Sequence, residues 1–236
     1  MTPFQFRVNP RTLSEIVWTE LLSDLDLAIP HISQRLTTAW DACDATRGKM
    51  AYNTGSISPS SGLALYAFSR RFAPKEIFEV GTFIGRSTVS MALGAEDGGQ
   101  QNAVLYTCDG SNDFHVPHAG PTRIVGFPRK MSHEALGAVA SQSQGIDLFH
   151  LDGRIGDADL PHLQRLTRPH TCYAIDDFEG AEKGVSNVWM LRQQPWMQAH
   201  VLVYPPDRAL LARFGLHSGC STAMLVPGPM FRFSNQ

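Results

Sequence analysis

Three aspartates at the ends of two predicted strands are the residues of this sequence best suited to holding a cation. Asp152 follows the largely apolar run 146–151, and Asp176 and Asp177 follow the run 171–175. Adjacent strands of a parallel sheet lie about 4.8 Å apart, so neighbouring strands would bring the three carboxylates together. Like charges this close raise one another's pKa unless a cation compensates them. The sequence therefore predicts Mg²⁺ or another hard divalent ion on these three side chains.

A glycine-containing turn follows another predicted strand, 76–80. Gly81 and Gly85 are four residues apart, and Glu79 comes two residues before the first of them. This spacing is not the G-x-G-x-x-G of dinucleotide-binding turns. A carboxylate beside the turn would repel a pyrophosphate but suits a cationic amino-acid group. The pattern therefore disfavours a nicotinamide-dependent dehydrogenase.

Asp109 ends the predicted strand that begins at residue 104. A carboxylate in this position can accept hydrogen bonds from both ribose hydroxyls of a nucleoside. Dinucleotide-binding folds and methyl-donor folds share this feature. By itself Asp109 therefore predicts a bound nucleoside but not its kind.

Seven predicted strands alternate with helical segments from residue 55 onward, and the central strands are almost entirely apolar. This order predicts an α/β fold with a Rossmann-like, seven-stranded, mostly parallel sheet covered by helices on both faces. We expect the last two strands to form an antiparallel edge. Two helices in residues 1–50 predict an N-terminal extension, with Thr12 or Ser14 capping the first. Ser58 followed by Pro59, and Ser132, predict the caps of two later helices. Residues 51–236 would then form the main domain.

The composition narrows the range of partners. The chain has 236 residues, 43% of them hydrophobic and 18% charged, with a net charge of −2. Such a chain can bury a large core but has no electrostatic field to attract a nucleic acid. No apolar run approaches the length of a membrane span, and the four cysteines have no metal-ligand spacing. We expect a soluble, cytoplasmic protein with reduced thiols and no nucleic-acid or membrane partner.

The chemistry-bearing segments resemble one enzyme family. The runs Ser56-Ile57-Ser58-Pro59-Ser60-Ser61-Gly62 and Glu79-Val80-Gly81-Thr82-Phe83-Ile84-Gly85-Arg86-Ser87 are similar to those of class I S-adenosylmethionine-dependent methyltransferases. Within that class the sequence most resembles the small metal-dependent O-methyltransferases of the catechol and caffeoyl-CoA type. The resemblance covers roughly residues 55–190. It implies methyl transfer to a hydroxyl of a small molecule, and a homodimer with the N-terminal helices as dimer contact or lid.

The resemblance also implies which residues hold S-adenosylmethionine. Asp109 falls where the family binds ribose, and Met131 and Ser132 fall where it contacts adenine. The remaining positions surround the methionine part of the cofactor. The full implied set is Ser56, Ile57, Glu79, Gly81, Thr82, Gly85, Ser87, Asp109, Met131, Ser132 and Asp152.

The metal site and the general base follow the family less closely. The resemblance places the metal on Asp152, Asp176 and Asp177, the last of which is usually Asn in the catechol type. That type also has a lysine shortly after the first metal aspartate as general base, whereas this sequence has Arg154, which stays protonated. We therefore expect a metal-bound acceptor hydroxyl whose proton passes to His115 or His118.

Other interpretations remain open from the sequence. A metal-independent C- or N-methyltransferase would use Asp152 or Asp177 to hold its substrate, and a cofactor-binding but inactive partner subunit would need neither.

His150 precedes Asp152 in a buried strand and is expected to be a core histidine. Lys183 could face the site, but a lysine on a helix surface is the more common case. The loop between Asp109 and residue 122 is too short for the helix that usually joins these strands.

Overall fold

The fold is built from alternating strands and helices, and the computed structural model describes residues 9–25, 29–50, 55–111, 113–179 and 183–230. The helices are α1 (Pro10–Ser23), α2 (Ile29–Asp44), α3 (Pro59–Phe72), α4 (Arg86–Asp97), α5 (Ser132–Ala140), α6 (Leu160–Leu166), α7 (Gly184–Arg192) and α8 (Arg208–Arg213). The strands are β1 (Glu76–Val80), β2 (Val104–Asp109), β3 (Arg123–Pro128), β4 (Ile146–Leu151), β5 (Thr167–Ile175), β6 (His200–Val203) and β7 (Ala223–Pro227).

The seven strands form one sheet in the order β3-β2-β1-β4-β5-β7-β6. Strands β1 to β5 pair in parallel, whereas β7 is antiparallel to both β5 and β6. The strand order reverses between β1 and β4, the place where open α/β sheets bind ligands. The predicted fold class is therefore confirmed. The expected antiparallel edge is also confirmed, because β6 and β7 pair antiparallel at one edge of the sheet, with β7 between β5 and β6.

Two apolar cores cover the two faces of the sheet. Successive side chains of a strand point to opposite faces, so Ile77 packs with residues of α1 to α4, whereas Phe78 packs with residues of α5, α6 and α7. Both side chains are completely buried. The sheet is therefore fixed between two helical layers, and its carboxyl edge can hold side chains in a stable arrangement.

The N-terminal helices belong to the first of these cores. Trp18 is fully buried, and its indole Nε1 donates a hydrogen bond of 2.7 Å to the Tyr204 carbonyl. Trp40 donates from Nε1 to Ser90 Oγ at 3.1 Å, and its ring occupies the space beside Gly62, where an added Cβ would come within 2.3 Å of it. Both helices thus pack onto the body of the protein. The expected division at residue 50 borders residues 51–54, which lie outside the described residues.

The helix starts are partly as expected. Ser58 caps α3 by accepting a hydrogen bond of 3.0 Å from Ser61 N. The predicted caps of α1 are wrong, because Asn9 is the N-cap and Pro10 is the first helical residue. The hydroxyl of Ser14 instead accepts from Tyr204 N at 2.9 Å. A polar side chain near the start of a helix can cap that helix or form a hydrogen bond with another part of the chain. Tertiary contacts determine which of the two occurs.

In the part of the chain that the structure describes, no helix is both long enough and apolar enough to cross a bilayer. All four cysteines are free thiols. Between β2 and β3, the described residues of the connection form no helix, as its length predicts.

A histidine at the start of β6 makes stability depend on pH. The ring Nε2 of His200 donates to the Thr171 carbonyl at 2.9 Å, whereas Nδ1 is buried without a partner. Burial lowers the pKa of His200, and the nearby Arg192 adds to this effect. A proton on Nδ1 would therefore be held more weakly in the folded chain than in the unfolded one.

We predict that the free energy of unfolding falls as the pH drops through about 6.5, where the unfolded histidine binds its proton. His200→Gln should reduce this loss between pH 7 and 5, measured by urea unfolding at each pH. The exposed His133 provides the control, since His133→Gln should keep the wild-type slope. Equal slopes for all three proteins would contradict this account.

Candidate active site

The register of three strands brings the predicted aspartates together. Leu151 at the end of β4 pairs with Val80 of β1 on one side and with Ile175 of β5 on the other. The next residues of β4 and β5 are Asp152 and Asp176, so both leave the sheet at the same level. One oxygen from each of Asp152, Asp176 and Asp177 lies within 4.8 Å of the others. We call these residues the three-aspartate cluster.

A lysine occupies part of this cluster. The Lys183 ammonium lies 3.0 Å from Asp152 Oδ1, 3.0 Å from the Asp152 carbonyl oxygen and 2.5 Å from Asp177 Oδ2. Burial alone would lower the pKa of Lys183, but the charge of Asp152 and hydrogen bonds to both carboxylates raise it. The side chain is thus a fixed ammonium and not a proton acceptor. The sequence left open whether Lys183 faces the site or the helix surface, and the structure directs it into the site.

The other members of the cluster have their own surroundings. Asp176 is buried, and its Oδ1 accepts hydrogen bonds from Ser221 Oγ at 2.8 Å and Thr222 Oγ1 at 3.0 Å. Burial, together with the charge of Asp176, raises the pKa of Asp152 to about 6 despite the nearby Lys183. The single lysine thus offsets only part of the cost of burying these neighbouring carboxylates.

The glycine turn after β1 is shaped by close backbone approach. Gly81 has φ +96°, and an added Cβ would lie 3.1 Å from the backbone carbon of Asp152. Gly85 has φ +84° and packs against Val116. Both conformations favour glycine. Phe83 also has a positive φ, and its backbone N donates to Asp109 Oδ2 at 3.0 Å.

Glu79 is completely buried behind this turn. Its carboxylate accepts hydrogen bonds from Ser87 Oγ at 2.6 Å, Thr88 Oγ1 at 2.5 Å and Thr107 Oγ1 at 2.6 Å. His150 Nδ1 lies 3.1 Å from the same carboxylate. Glu79 thus fixes β1 to the first turn of α4 and to its two neighbouring strands. The structure directs the Glu79 side chain into the protein. Its contact with a cofactor stays a prediction.

Asp109 and Met131 lie close together, as a nucleoside site requires. The Asp109 carboxylate also accepts from Ser111 N at 3.0 Å and Ser111 Oγ at 2.8 Å. An added Cβ on Gly110 would lie 3.1 Å from Met131 Sδ, so the Met131 side chain reaches back toward the end of β2. Met131 is 56% exposed, whereas the adjacent Ser132 is buried. The predicted cap Ser132 is wrong, because Met131 is the N-cap of α5 and Ser132 is its first helical residue.

A cleft at the carboxyl ends of β1 and β4 collects most of the predicted cofactor residues. We call it the β1–β4 cleft. It is lined by Gly55, Ser56, Ile57, Gly81, Thr82, Phe83, Ile84, Arg86, Ser87, Asp152 and Lys183. Asp152 of the cluster and residues 81–84 of the glycine turn thus face the same space.

The two predicted bases lie in different places. His118 is not brought to the cleft: its Nε2 lies 2.8 Å from Glu96 Oε1, and both side chains are buried. Glu96 is ten residues beyond the first residue of α4, which puts this pair about 15 Å along the helix from the cleft. The structure therefore argues against His118 as the base. His115 is exposed in the loop next to Val116, which contacts Gly85, and its role stays a prediction.

A second, larger cavity of about 1010 Å³ lies beside the cluster. Phe178, the residue after Asp177, contributes to its wall, and its ring meets that of Tyr204 at 5.9 Å in an edge-on arrangement. The cavity is lined by Asn9, Arg11, Ser14, Glu15, Trp18, Phe178, Tyr204, Pro205, Pro206, Asp207 and Leu210. Helix α1 and the connection after β6 thus form a chamber that sequence analysis did not identify.

The N-terminal segment also reaches the glycine turn. Arg86 forms an ion pair with Asp44 at the end of α2, and Arg47 places its guanidinium 5.2 Å from the centre of the Phe83 ring. Residues far apart in sequence supply these contacts. No local spacing or periodicity indicated them.

The buried carboxylate of Glu79 provides a test of how the turn is held. We predict that Glu79→Gln lowers the free energy of unfolding by about 2–4 kcal/mol, because it breaks a buried charged network without removing its partners. Glu15→Gln, on an exposed side chain, should change it by less than about 0.5 kcal/mol. Urea unfolding measures both, and equal effects of the two substitutions would contradict the assigned role of Glu79.

Comparison with known proteins shows a family that part of this chain resembles. Residues 78–178 match the family model described as "Methyltransferase domain". No curated protein matches the sequence. The match begins in β1, includes the glycine turn, and ends directly after the three-aspartate cluster.

Solved structures share the fold at low sequence identity. An O-methyltransferase from Bacillus cereus in complex with S-adenosylhomocysteine is 15% identical with a TM-score of 0.57, covering 81% of this chain and 90% of that one. Cofactor-bound Rv0187 from MTB is also 15% identical with a TM-score of 0.57, covering 94% and 99%. The O-methyltransferase TomG from Streptomyces achromogenes, in complex with S-adenosylmethionine, is 17% identical with a TM-score of 0.53, covering 82% and 89%.

The predicted resemblance is thereby confirmed. The matched residues include both the glycine turn and the point where the strand order reverses. Residues 78–178 are similar to the methyltransferase-domain family, and the chain shares the fold of solved O-methyltransferases.

Proposed function

We propose that this protein transfers a methyl group from S-adenosylmethionine to a hydroxyl of a small molecule. The observation that carries the proposal is the β1–β4 cleft, which lies where the strand order reverses and within the matched methyltransferase domain. Asp109 and Met131 follow the neighbouring strands, in reach of one nucleoside. The relatives' cofactors, S-adenosylhomocysteine in one and S-adenosylmethionine in another, support the choice of donor.

The chain's own groups provide distinct contacts for such a donor. The positive-φ turn between Gly81 and Gly85 leads into the N-terminus of α4, where backbone N–H groups and the helix dipole favour a carboxylate. Asp109 would accept from the ribose, and the exposed Met131 would cover the adenine. Asp152 at the opposite wall would attract the positive charge of the amino and sulfonium groups.

Methyl transfer from a sulfonium is an in-line displacement. The acceptor oxygen forms a bond to the methyl carbon as the carbon–sulfur bond breaks, and the electron pair of that bond stays on the thioether sulfur of S-adenosylhomocysteine. The acceptor's hydroxyl proton leaves to a base or to water. Because the donor is already activated, the protein contributes mainly alignment of the two reactants. His115 stays the predicted base.

The larger cavity is where we place the acceptor. It adjoins the cluster through Phe178 and has an aromatic wall from Trp18 and Tyr204. Such a wall suits a planar or ring-containing molecule that presents a hydroxyl toward the β1–β4 cleft. The homodimer stays a prediction.

The sequence also predicted a divalent metal ion that assists the reaction. Three carboxylates have the right chemistry for Mg²⁺, and two ligands of one such ion lie at most about 4.2 Å apart, close to the spacing in the cluster. The Lys183 ammonium, however, already binds two of the three aspartates. The residues as arranged do not fit an additional ion, and we route no step of the reaction through one.

The contacts of Lys183 favour a second candidate, a methyltransferase that needs no metal and methylates carbon or nitrogen. It would use the same cleft and the same donor. An acceptor nitrogen or carbon nucleophile would meet the methyl group without a cation beside it. A cofactor-binding but inactive subunit, the other alternative, would bind the donor and transfer nothing.

We predict that the wild-type protein binds S-adenosylhomocysteine with one site per chain in isothermal titration calorimetry. Asp109→Asn should weaken this binding at least tenfold, because it removes a charged acceptor for the ribose hydroxyls. Asp113→Asn is the matched control: Asp113 lies four residues away and pairs with the exposed Arg129. It should bind like the wild type.

Thermal unfolding of both variants separates lost affinity from lost structure, since Asp109 also holds Phe83 N. Absence of heat with the folded wild-type protein would overturn the proposed function. Equal affinities of the two variants would overturn the assigned role of Asp109.

A further inference from the structure

The three hydrogens of one ammonium group match three oxygens of the aspartate cluster. A lysine ammonium has three donors and no acceptor. Lys183 Nζ lies within 3.0 Å of Asp152 Oδ1 and of the Asp152 carbonyl, and 2.5 Å from Asp177 Oδ2. Every hydrogen-bond donor of the ammonium therefore has an oxygen acceptor within the cluster, as expected at a position that binds a cation.

We propose that Lys183 is the resident cation of the three-aspartate cluster, and that its ammonium takes the place of a divalent metal ion. The ammonium joins the ends of β4 and β5, the task that a bridging ion would otherwise perform. Methyl transfer by this chain then needs no added metal, a consequence that rests on the proposed function. The occupancy of the cluster by Lys183 does not rest on it.

The position of Lys183 in the fold supports a fixed role. It is the N-cap residue of α7, directly before Gly184, where an added Cβ would come within 2.4 Å of the Asp176 carbonyl oxygen. This close approach holds the start of α7 against the end of β5. The lysine side chain leaves the helix start toward the aspartates, and two-thirds of it is shielded from solvent.

Charge balance leads to the same assignment. Three carboxylates at one sheet edge repel one another strongly when nothing compensates them. For a metal ion to bind the cluster, the ammonium would have to leave both carboxylates and lose all three hydrogen bonds. An ion would thus compete with a cation that is covalently part of the chain and always present.

The test is the binding of Mn²⁺, followed by the loss of the free-ion signal in electron paramagnetic resonance. We compare the wild type with Lys183→Met, which keeps an unbranched side chain one atom shorter than lysine and removes its charge. Lys130→Met is the matched control, because Lys130 pairs with Glu134 on the surface and its loss changes the net charge equally. Lys183→Met/Asp176→Asn then removes one carboxylate from the emptied cluster.

We expect Lys183→Met to bind one Mn²⁺ per chain with a Kd at least tenfold lower than that of the wild type or of Lys130→Met. The added Asp176→Asn should reverse the gain. Tight Mn²⁺ binding by the wild type, with no gain in Lys183→Met, would overturn the proposal. If Lys183→Met does not fold, the wild-type titration decides alone: a micromolar site contradicts the proposal, and millimolar or weaker binding supports it.

The same preparations separate this inference from the proposed function. Calorimetry with S-adenosylhomocysteine reports on the cofactor, and Mn²⁺ binding reports on the cluster. A protein that binds the nucleoside and also binds Mn²⁺ tightly keeps its proposed function and loses the lysine assignment. A protein that binds neither keeps the lysine assignment and loses the function.

Discussion

The concentration of negative charge at one edge of the sheet is the constraint on which the rest of this structure depends. Asp152 and Asp176 leave adjacent parallel strands at the same level, because the register of β4 and β5 fixes their neighbours Leu151 and Ile175 side by side. Asp177 adds a third carboxylate. Such an arrangement is costly in a folded protein unless it is compensated. Lys183 supplies one positive charge, and Asp152 also lines the cleft where a cationic donor would bind.

The buried carboxylate of Glu79 is compensated in a different way, by hydrogen bonds. Four polar groups from α4 and from both neighbouring strands surround it, so its charge is stabilised without an ion. This network fixes the start of α4 relative to β1, and it thereby sets the shape of the glycine turn between them. The close approach of Gly81 to the backbone of Asp152 also fixes the position of the glycine turn relative to that aspartate. The geometry of the cleft thus depends on polar groups that it does not expose.

Much of the fold could be predicted from sequence, because apolar strands and helix signals are local. The alternation that begins at residue 55 indicated seven strands, and Ser58-Pro59 marked the start of α3. The gathering of the three aspartates also followed from local information, since parallel strand ends meet at one edge. The position of β7 between β5 and β6 did not, because strand order depends on which long-range pairing buries the most apolar surface.

The site was less predictable where long-range contacts decide. His118 has the residue type of a general base, but its loop carries it to Glu96 at the far end of α4. Lys183 has the residue type of a surface lysine, but the start of α7 directs it into the cluster. Charge balance was the available signal for Lys183: three acids predicted a cation, and the nearest lysine after them in sequence is this one. The large cavity joins Trp18 to Tyr204, and no local pattern links those positions.

A crystal structure grown with Mn²⁺ and S-adenosylhomocysteine, with an anomalous difference map at the manganese edge, tests the central claim most directly. The account predicts no anomalous peak at the three-aspartate cluster and clear density for the Lys183 side chain between Asp152 and Asp177. A manganese peak coordinated by Asp152, Asp176 and Asp177, with Lys183 turned away from them, would contradict it.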